Sequence, residues 1–373
     1  MQVSKISLKN NPNIEFIANF LKPYTKRAYL VGGSVRDILL GYEILDFDIE
    51  IYDIEAEFFD ELMKKLKANG FGKSFFVYKF KNYDLALARS ENKVAQGHKG
   101  FEVRLCNDEK LAAKRRDFTI NSMMINIFND EFLDFYGGFA DLKQRILRHI
   151  DDERFKEDSL RVFRAIHFVS RFDLSVADES LKLMKTMDTS DLSKDRINNE
   201  LYKFFKAPHL WRGFELLQGL NLEQKVFFIN TQKNAKSLQF KQMLQKTRNF
   251  IKDEALFLYL YLNFFELEMK AFFEQTKLKK ELYQKSKQPF FEGKMRDLDF
   301  GFVALKMPLC KWLGLWDEQR VQRAKALGVY ERALRAEIDI KELEKQGFKG
   351  KNLGAKLEML KQEWLKDYIR EQK

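Results

Sequence analysis

Two acidic residues one position apart, Asp46 and Asp48, interrupt an apolar, β-branched run and are the side chains of this sequence best suited to chemistry. Side chains alternate between faces along a strand, so both carboxylates point one way while Phe47, Ile49 and Ile51 point the other way, into a core. Two adjacent carboxylates repel each other, and such a pair is usually stabilised by a cation or by a proton on one member. The spacing therefore predicts a cation site, or a shared proton, on one face of a strand.

A glycine pair precedes this strand. Gly32 and Gly33 end the strand signal of AYLVGG, and the helix signal of SVRDILLG follows. Glycine lets the backbone approach a ligand closely, and the N–H groups at a helix start favour an anion. Arg36 lies one turn into this helix, where it can also reach a phosphate. The ordinary alternative is a tight strand-to-helix turn without a ligand.

The glycine turn and the acid pair together indicate a triphosphate site with a divalent cation. Carboxylates beside a triphosphate can hold Mg²⁺, which prefers oxygen ligands and substrate phosphates. Two such ions can activate a hydroxyl and stabilise a leaving pyrophosphate. Glu50 falls on the same strand face and is a candidate third ligand, with Asp84 of the strand NYDLALAR as its rival. A pair of solvated strand residues is the alternative interpretation.

Two later segments carry further polar candidates. In KRRDFTINSMM, Arg115 and Arg116 can form fork-like pairs with phosphate, although a solvated basic turn is the alternative. In EDSLRVFRAIHF, Asp158 and Arg161 are three positions apart and therefore adjacent on a helix surface, where a plain ion pair is the simplest interpretation. Asp117 and Asn121, both in the first of these segments, are expected to brace the site through hydrogen bonds.

The surrounding patterns predict an α+β head ahead of a helical body. Residues 28–135 mix strand and helix signals, and after about residue 140 long amphipathic helical patterns dominate. The clearest helix places Leu160, Phe163, Ile166 and Val169 on one stripe. The Phe-rich stretches after residue 225 are expected to form helix core, and the lysines at the start of the last helix are possible RNA contacts.

Composition narrows the classes of protein. With 373 residues, 45% of them hydrophobic, the chain is expected to form two or more compact units. A net charge of +11 favours a polyanionic partner, most simply nucleic acid. Two cysteines and four histidines without metal-ligand spacing argue against a disulfide framework and a histidine metal site, and suit a reducing cytosol. The longest apolar run, at 255–262, is too short to span a bilayer, so no membrane is expected.

Six segments in order resemble one family. LVGGSVRD with LDFDIE resembles the first motif of class II tRNA nucleotidyltransferases, the family of CCA-adding enzymes and bacterial poly(A) polymerases. NYDLALARSENK, KRRDFTINSMM, LDFYGGFADLKQRILRHID, EDSLRVFRAIHF and DRINNEL resemble its later motifs, over about residues 28–220. The resemblance implies a small nucleotidyltransferase head with a mixed sheet, then an all-helical neck, body and tail. The expected boundaries are 1–140 for the head, 141–205 for the neck and 206–373 for the body and tail.

The resemblance also implies roles for individual residues. It places Asp84 at the third acidic position, so that Asp46, Asp48 and Asp84 are the catalytic acids and the first two hold Mg²⁺. It makes the helix in EDSLRVFRAIHF, residues 157–168 (the neck helix), a nucleotide-binding edge and not the site of a plain ion pair. The implied nucleotide-binding residues are Gly32, Gly33, Arg36, Arg115, Asp158, Arg161 and Arg164.

The function implied is that of a cytoplasmic CCA-adding enzyme, which uses CTP and ATP to add CMP, CMP and AMP to the 3′ end of tRNA without a template. The full length of the loop at 89–114 favours complete CCA addition, since in this family a shortened loop accompanies enzymes that add only the cytidines. A poly(A) polymerase and a CC-only or A-only enzyme stay open as alternatives. An RNA-binding protein on an inactive head is a rival from another class, but it requires a broken metal site, and the DFD triplet is intact.

Overall fold

The chain forms two compact units, Met1–Glu200 and Leu201–Lys373, in a computed structural model. The finer division into head, neck, body and tail stays a prediction. The structure describes residues 8, 11–70, 76–93, 101–229, 231 and 234–372.

The first unit is built on a mixed seven-stranded sheet in the order β3-β4-β5-β2-β1-β8-β9. β2 and β5 are parallel, and the other neighbours in this sheet are antiparallel. β6 with β7, and β10 with β11, form two smaller sheets. The strands are β1 (Ala28–Val31), β2 (Phe47–Ile51), β3 (Asn69–Gly70), β4 (Val77–Phe80), β5 (Tyr83–Leu87), β6 (Arg89–Lys93), β7 (Phe101–Leu105), β8 (Met124–Asn126), β9 (Phe132–Leu133), β10 (Ile146–Leu147) and β11 (Ser175–Val176).

The predicted alternation along the acidic strand is confirmed. Phe47, Ile49 and Ile51 on β2 are at most 1% exposed and belong to the core. Burial of three large apolar side chains stabilises the strand in this register, since a slip of one residue would send the carboxylates into the core.

Helices complete the first unit, and the clearest sequence pattern among them forms α7. Its Phe163, Ile166 and Val169 are buried as expected, whereas Leu160 is only partly buried. The helices are α1 (Pro12–Leu21), α2 (Gly33–Leu39), α3 (Ala56–Lys65), α4 (Glu109–Lys114), α5 (Gly138–Gln144), α6 (Asp152–Lys156), α7 (Leu160–Phe172), α8 (Asp178–Thr186) and α9 (Lys194–Lys206), the last of which crosses the boundary between the units.

The second unit contains helices, joined by turns and loops, and no strand among its described residues. Its aromatic side chains form the core, as the sequence predicts: Phe214, Phe240, Phe257 and Tyr261 are fully buried and contact one another. No helix in the described part of the chain is long and apolar enough to cross a membrane. The helices are α10 (Leu210–Gly219), α11 (Glu223–Phe227), α12 (Ala235–Thr247), α13 (Leu256–Phe264), α14 (Met269–Thr276), α15 (Lys280–Ser286), α16 (Asp297–Ala304), α17 (Glu318–Ala326), α18 (Ile340–Lys345) and α19 (Gly350–Glu371).

Candidate active site

A cavity of about 450 Å³ in the first unit collects the residues that the sequence singles out. This volume is within the range of small-molecule sites. All seven predicted nucleotide-binding residues line it, together with one of the predicted catalytic acids. The lining residues are Gly32, Gly33, Arg36, Asp48, Arg115, Arg116, Asp117, Asn121, Asp158, Leu160, Arg161, Arg164 and Phe168.

Three carboxylates lie close together, and one of them, Asp48, lines this cavity. Asp48 on β2 lies directly opposite Asp84 on β5, and Asp46 immediately precedes β2. Lys79 Nζ lies 3.2 Å from Asp46 Oδ1 and 3.1 Å from Asp84 Oδ1. Burial raises the pKa of Asp48; the charge of Arg116 opposes this, while the charges of Asp84 and Asp46 add to it. A nearby cation would therefore favour the ionised form of these carboxylates.

Glu50, the other candidate for third ligand, is committed to protein partners. It is 1% exposed, and its carboxylate accepts hydrogen bonds from Tyr52, Arg115 and Arg116. Burial raises the pKa of Glu50, but the charges of Arg115 and Arg116 outweigh this and hold the pKa below its usual range. Asp84 is therefore better placed than Glu50 to act with Asp46 and Asp48.

The glycine turn touches the acidic strand closely. Gly32 has φ +66° and ψ −128°, a conformation that L side chains rarely adopt. A Cβ built there would lie 2.8 Å from Arg116 Nη1 and 3.8 Å from Asp48 Oδ2. Ser34, which the sequence analysis missed, ties the turn to the acids, because its hydroxyl donates to the Asp46 carbonyl and accepts from the Asp48 N–H. Glycine is thus required where backbone, arginine and carboxylate converge.

Arg116 is more central than the sequence indicated, since the predicted site included only its neighbour Arg115. Its Nη2 donates to Glu50 Oε2 at 3.3 Å. Its Nε is buried and has no hydrogen-bond partner among the described residues. Its Nη1 is the atom that lies beside Gly32, so the positive charge of Arg116 reaches the glycine turn in the cavity wall. This arrangement favours binding of an anion beside Gly32.

Arg36 lies in the cavity wall with its guanidinium engaged by the protein. It is 3% exposed and donates to Asp37 Oδ1 at 2.8 Å and to Asn121 Oδ1. Its guanidinium also lies over the Phe172 ring, 4.4 Å from the centroid. Burial lowers the pKa of Arg36, although Asp37 opposes the shift. Direct contact between Arg36 and a phosphate stays a prediction.

Asp117 braces the arginines of the site, as expected. It accepts hydrogen bonds from Arg164 Nε at 2.7 Å and from Asn121 Nδ2 at 2.9 Å. Burial raises the pKa of Asp117, but Arg164 and the hydrogen bond from Asn121 outweigh this and hold the pKa below its usual range. Asp117 thereby holds α7 and the turn after α4 in one arrangement.

Asp158 and Arg161 are each engaged with other groups, which argues against a plain ion pair. Asp158 Oδ1 accepts from Arg196 Nη2 at 3.2 Å and from the Leu160 N–H at 3.2 Å. Arg161 donates to two backbone carbonyls, those of Arg154 at 2.8 Å and Arg115 at 2.7 Å. Both side chains are thereby oriented at the cavity edge. Arg196 was missed, although it belongs to the recognised segment DRINNEL.

Comparisons with known proteins support the predicted family. Residues 28–148 match the sequence model of the poly A polymerase head domain. A CCA-adding enzyme of Francisella tularensis subsp. novicida is 38% identical over 213 residues, which are 53% of this chain and 55% of that protein. A multifunctional CCA protein of Nitrosomonas europaea is 39% identical over 202 residues, which are 52% of this chain and 47% of that protein. The chain thus spans about half the length of the curated relatives it matches.

Solved structures share the architecture over nearly the whole chain. The CCA-adding enzyme of Bacillus stearothermophilus in complex with CTP is 20% identical, with a TM-score of 0.68, over 98% of this chain and 98% of that one. A CCA-adding enzyme in complex with ATP is 21% identical, with a TM-score of 0.66, over 98% and 91%. These likenesses confirm the predicted fold class, a head with a mixed sheet followed by helices.

Proposed function

Because residues 28–148 match the poly A polymerase head domain, we propose that this protein is a template-independent nucleotidyltransferase that adds CMP, CMP and AMP to the 3′ end of tRNA from CTP and ATP. One observation carries the proposal: a single cavity joins the glycine turn, the acidic strand and the neck helix. The names of the curated relatives, CCA-adding enzyme and multifunctional CCA protein, support the choice of reaction.

The residues of the cavity suit a nucleoside triphosphate. Gly32 lets an anion approach the backbone, and Arg116 brings its charged Nη1 to the same turn. Arg164, oriented by Asp117, adds a further positive charge in the cavity wall. The base would then extend toward Asp158 and Arg161 at the start of α7.

The acidic cluster fits a divalent cation, for which we propose Mg²⁺. No group of three His, Cys, Asp or Glu side chains in the described ranges is arranged to enclose an ion by itself. Asp46 and Asp48, with Asp84 alongside, would therefore hold the ion together with substrate phosphates. When bound, the ion supplies activation of the tRNA 3′-hydroxyl and stabilisation of the leaving pyrophosphate. Burial is the main cause of the raised pKa of Asp48, and the charges of Asp84 and Asp46 add to it, so a cation beside the cluster would favour the ionised carboxylate.

Poly(A) polymerase is the second candidate, because the matching head domain carries that name. The decisive experiment incubates the protein with tRNA lacking its CCA end and each nucleotide separately, and then sequences the products. Addition of two cytidines followed by one adenosine is expected. Open-ended adenosine tails would support the poly(A) polymerase, and addition of C alone or A alone would support a specialist. The length of the loop at 89–114 is the reason to expect full CCA addition, and residues 94–100 of that loop lie outside the described residues.

Gly32→Ala is expected to remove most nucleotide addition. The new methyl group would displace Arg116 Nη1 from beside the turn, and the positive φ adds roughly 1–3 kcal/mol of strain. Gly41→Ala is the matched control, since Gly41 has φ +77° but its Cβ would meet open space. CTP incorporation and thermal unfolding of both variants check this. Equal loss of incorporation in both would show that strain, and not the contact, is responsible.

The helical second unit is proposed to hold the tRNA backbone. Its surface includes a cavity of about 710 Å³ whose wall contains Lys246 and Lys294, together with acidic residues and an Arg323 that is paired with Asp297. The first half of α19 carries the exposed Lys351 and the partly buried Lys356. Basic contacts of this kind act on phosphates and are independent of base sequence. A cytoplasmic location agrees with a tRNA substrate and stays a prediction.

Affinity for tRNA is expected to fall steeply with salt, because counterions are released when lysines neutralise phosphates. The Lys351→Gln, Lys356→Gln double variant should reduce the slope of log affinity against log salt by about 1–2. Binding of CTP should stay unchanged. Fluorescence titration with labelled tRNA at several salt concentrations measures the slope, and tRNA binding insensitive to salt would contradict the assignment.

A further inference from the structure

A lysine that the sequence analysis did not use lies among the three acids by strand register. Lys79 on β4 is directly opposite Asp84 on β5, which in turn is directly opposite Asp48 on β2. Side chains of directly opposed residues point to the same face of a sheet. The backbone therefore places one lysine and two aspartates in a row across three neighbouring strands.

The ammonium group lies between two carboxylates at nearly equal distances. Lys79 Nζ is 3.2 Å from Asp46 Oδ1 and 3.1 Å from Asp84 Oδ1, and its charge also acts on Asp48. Three carboxylates in one place carry a charge of −3, which a single ammonium neutralises in part. The lysine side chain is 33% exposed, so its flexible stem can move toward solvent. Arg116, the other cation facing Asp48, is paired with Glu50.

We propose that Lys79 is an internal counter-ion of the carboxylate site, which holds Asp46 and Asp84 together in the absence of a divalent cation and competes with that cation for the same oxygens. The inference rests on the proposed function, because it concerns the same acids. A divalent ion such as Mg²⁺ needs oxygen ligands at about 2.0–2.1 Å, which leaves no room for an ammonium between them. Occupancy of the site is therefore set by exchange of one cation for another.

If Lys79 competes with the divalent cation, removing Lys79 should strengthen metal binding. Removing a residue that holds the metal would weaken it. Titration of the full-length protein with Mn²⁺ alone, followed by electron paramagnetic resonance of the free ion, measures the affinity. Lys79→Met should bind Mn²⁺ roughly tenfold more tightly than the parent, equivalent to about 1.4 kcal/mol. Lys79→Arg keeps the positive charge and should bind Mn²⁺ much as the parent does.

Lys81→Met is the matched control, because it removes the same charge from the same hairpin. Lys81 lies over the rings of Phe16 and Phe80, and its substitution should leave Mn²⁺ affinity unchanged. In the presence of a chelator, Lys79→Met should also unfold at a lower temperature than Lys81→Met, since its carboxylates repel each other without a counter-ion. Added Mn²⁺ should then raise the unfolding temperature of Lys79→Met by more than that of the control.

Unchanged or weaker Mn²⁺ binding by Lys79→Met would overturn the proposal. Lys79→Gln is a second neutral variant, and it keeps a polar side chain at this half-buried position. It must bind Mn²⁺ as tightly as Lys79→Met does, so that a folding defect of one variant is not mistaken for an effect on the metal site. Asp48→Asn separates the two hypotheses. If Asp48→Asn binds Mn²⁺ as well as the parent does, the proposed metal site itself is wrong; if it does not, the Lys79 variants alone decide the role of the counter-ion.

Discussion

Asp48→Asn is expected to lower the rate of nucleotide addition by roughly a thousandfold or more, because an amide cannot replace the carboxylate charge that a divalent cation requires. The substitution keeps the size of the side chain on β2. It also removes a carboxylate whose pKa is raised by burial and by the charges of Asp84 and Asp46, so stability should not fall. Single-turnover incorporation of CMP into tRNA lacking its CCA end measures the effect.

Binding of tRNA and the thermal unfolding of Asp48→Asn should match those of the parent. Glu57→Gln is the control, since Glu57 is an exposed acid in the first turn of α3. It removes the same charge from the same unit and should leave the rate unchanged. Near-normal turnover by Asp48→Asn would refute the assignment of the catalytic acid.

Asp158→Ala is expected to reduce the preference for CTP over UTP by roughly tenfold to a hundredfold. Cytosine and adenine each present an amine donor beside a ring-nitrogen acceptor, whereas uracil and guanine present a carbonyl acceptor beside an N–H donor. A carboxylate facing the amine and a guanidinium facing the ring nitrogen therefore accept C and A alike. With U or G, the carboxylate would face a carbonyl acceptor and the guanidinium would face an N–H donor. Each polar group left unpaired in this way costs about 1–3 kcal/mol of binding free energy.

The structure makes this role feasible because both side chains are oriented before a nucleotide arrives. Arg196 and the Leu160 N–H hold Asp158, and backbone carbonyls hold Arg161. Two of the five N–H donors of Arg161 are used in this way, so the fork has further donors to offer. The neck helix would then act as a template made of protein.

The ratio of CTP to UTP incorporation by Asp158→Ala and Arg161→Ala tests whether these two side chains select the base. Mn²⁺ binding should be unaffected in both, because neither side chain belongs to the acidic cluster. Glu153→Ala, which removes an exposed acid from the preceding helix α6, should keep the parent ratio. If Asp158→Ala and Arg161→Ala also keep it, the neck helix is structural and base choice lies elsewhere.

Local patterns predicted the parts of the site that depend on local spacing. The alternation of Phe47, Ile49 and Ile51 with the acids follows from strand geometry, and the glycine turn and α7 follow from short-range signals. Motif resemblance then brought the seven predicted nucleotide-binding residues into one group. The structure places all seven around one cavity.

Features that depend on contacts between distant segments could not be predicted in this way. Lys79 faces the acids only because β4 pairs with β5 in a particular register, and a strand signal does not specify its register. Glu50 has the right spacing for a metal ligand, but its burial against arginines 65 and 66 positions later is a tertiary property. Arg196 reaches Asp158 from α9 for the same reason.

The pairing of Glu50 with Arg115 and Arg116 has an evolutionary consequence. A buried charge that loses its partner costs about 3–5 kcal/mol, a large part of the stability of an ordinary domain. Neutralising Glu50 alone would remove a buried anionic partner from both arginines, and neutralising both arginines would remove the cations that face a fully buried carboxylate. The three positions should therefore change together across descendants of this protein, through paired substitutions, so that drift at one of them is constrained by the other two.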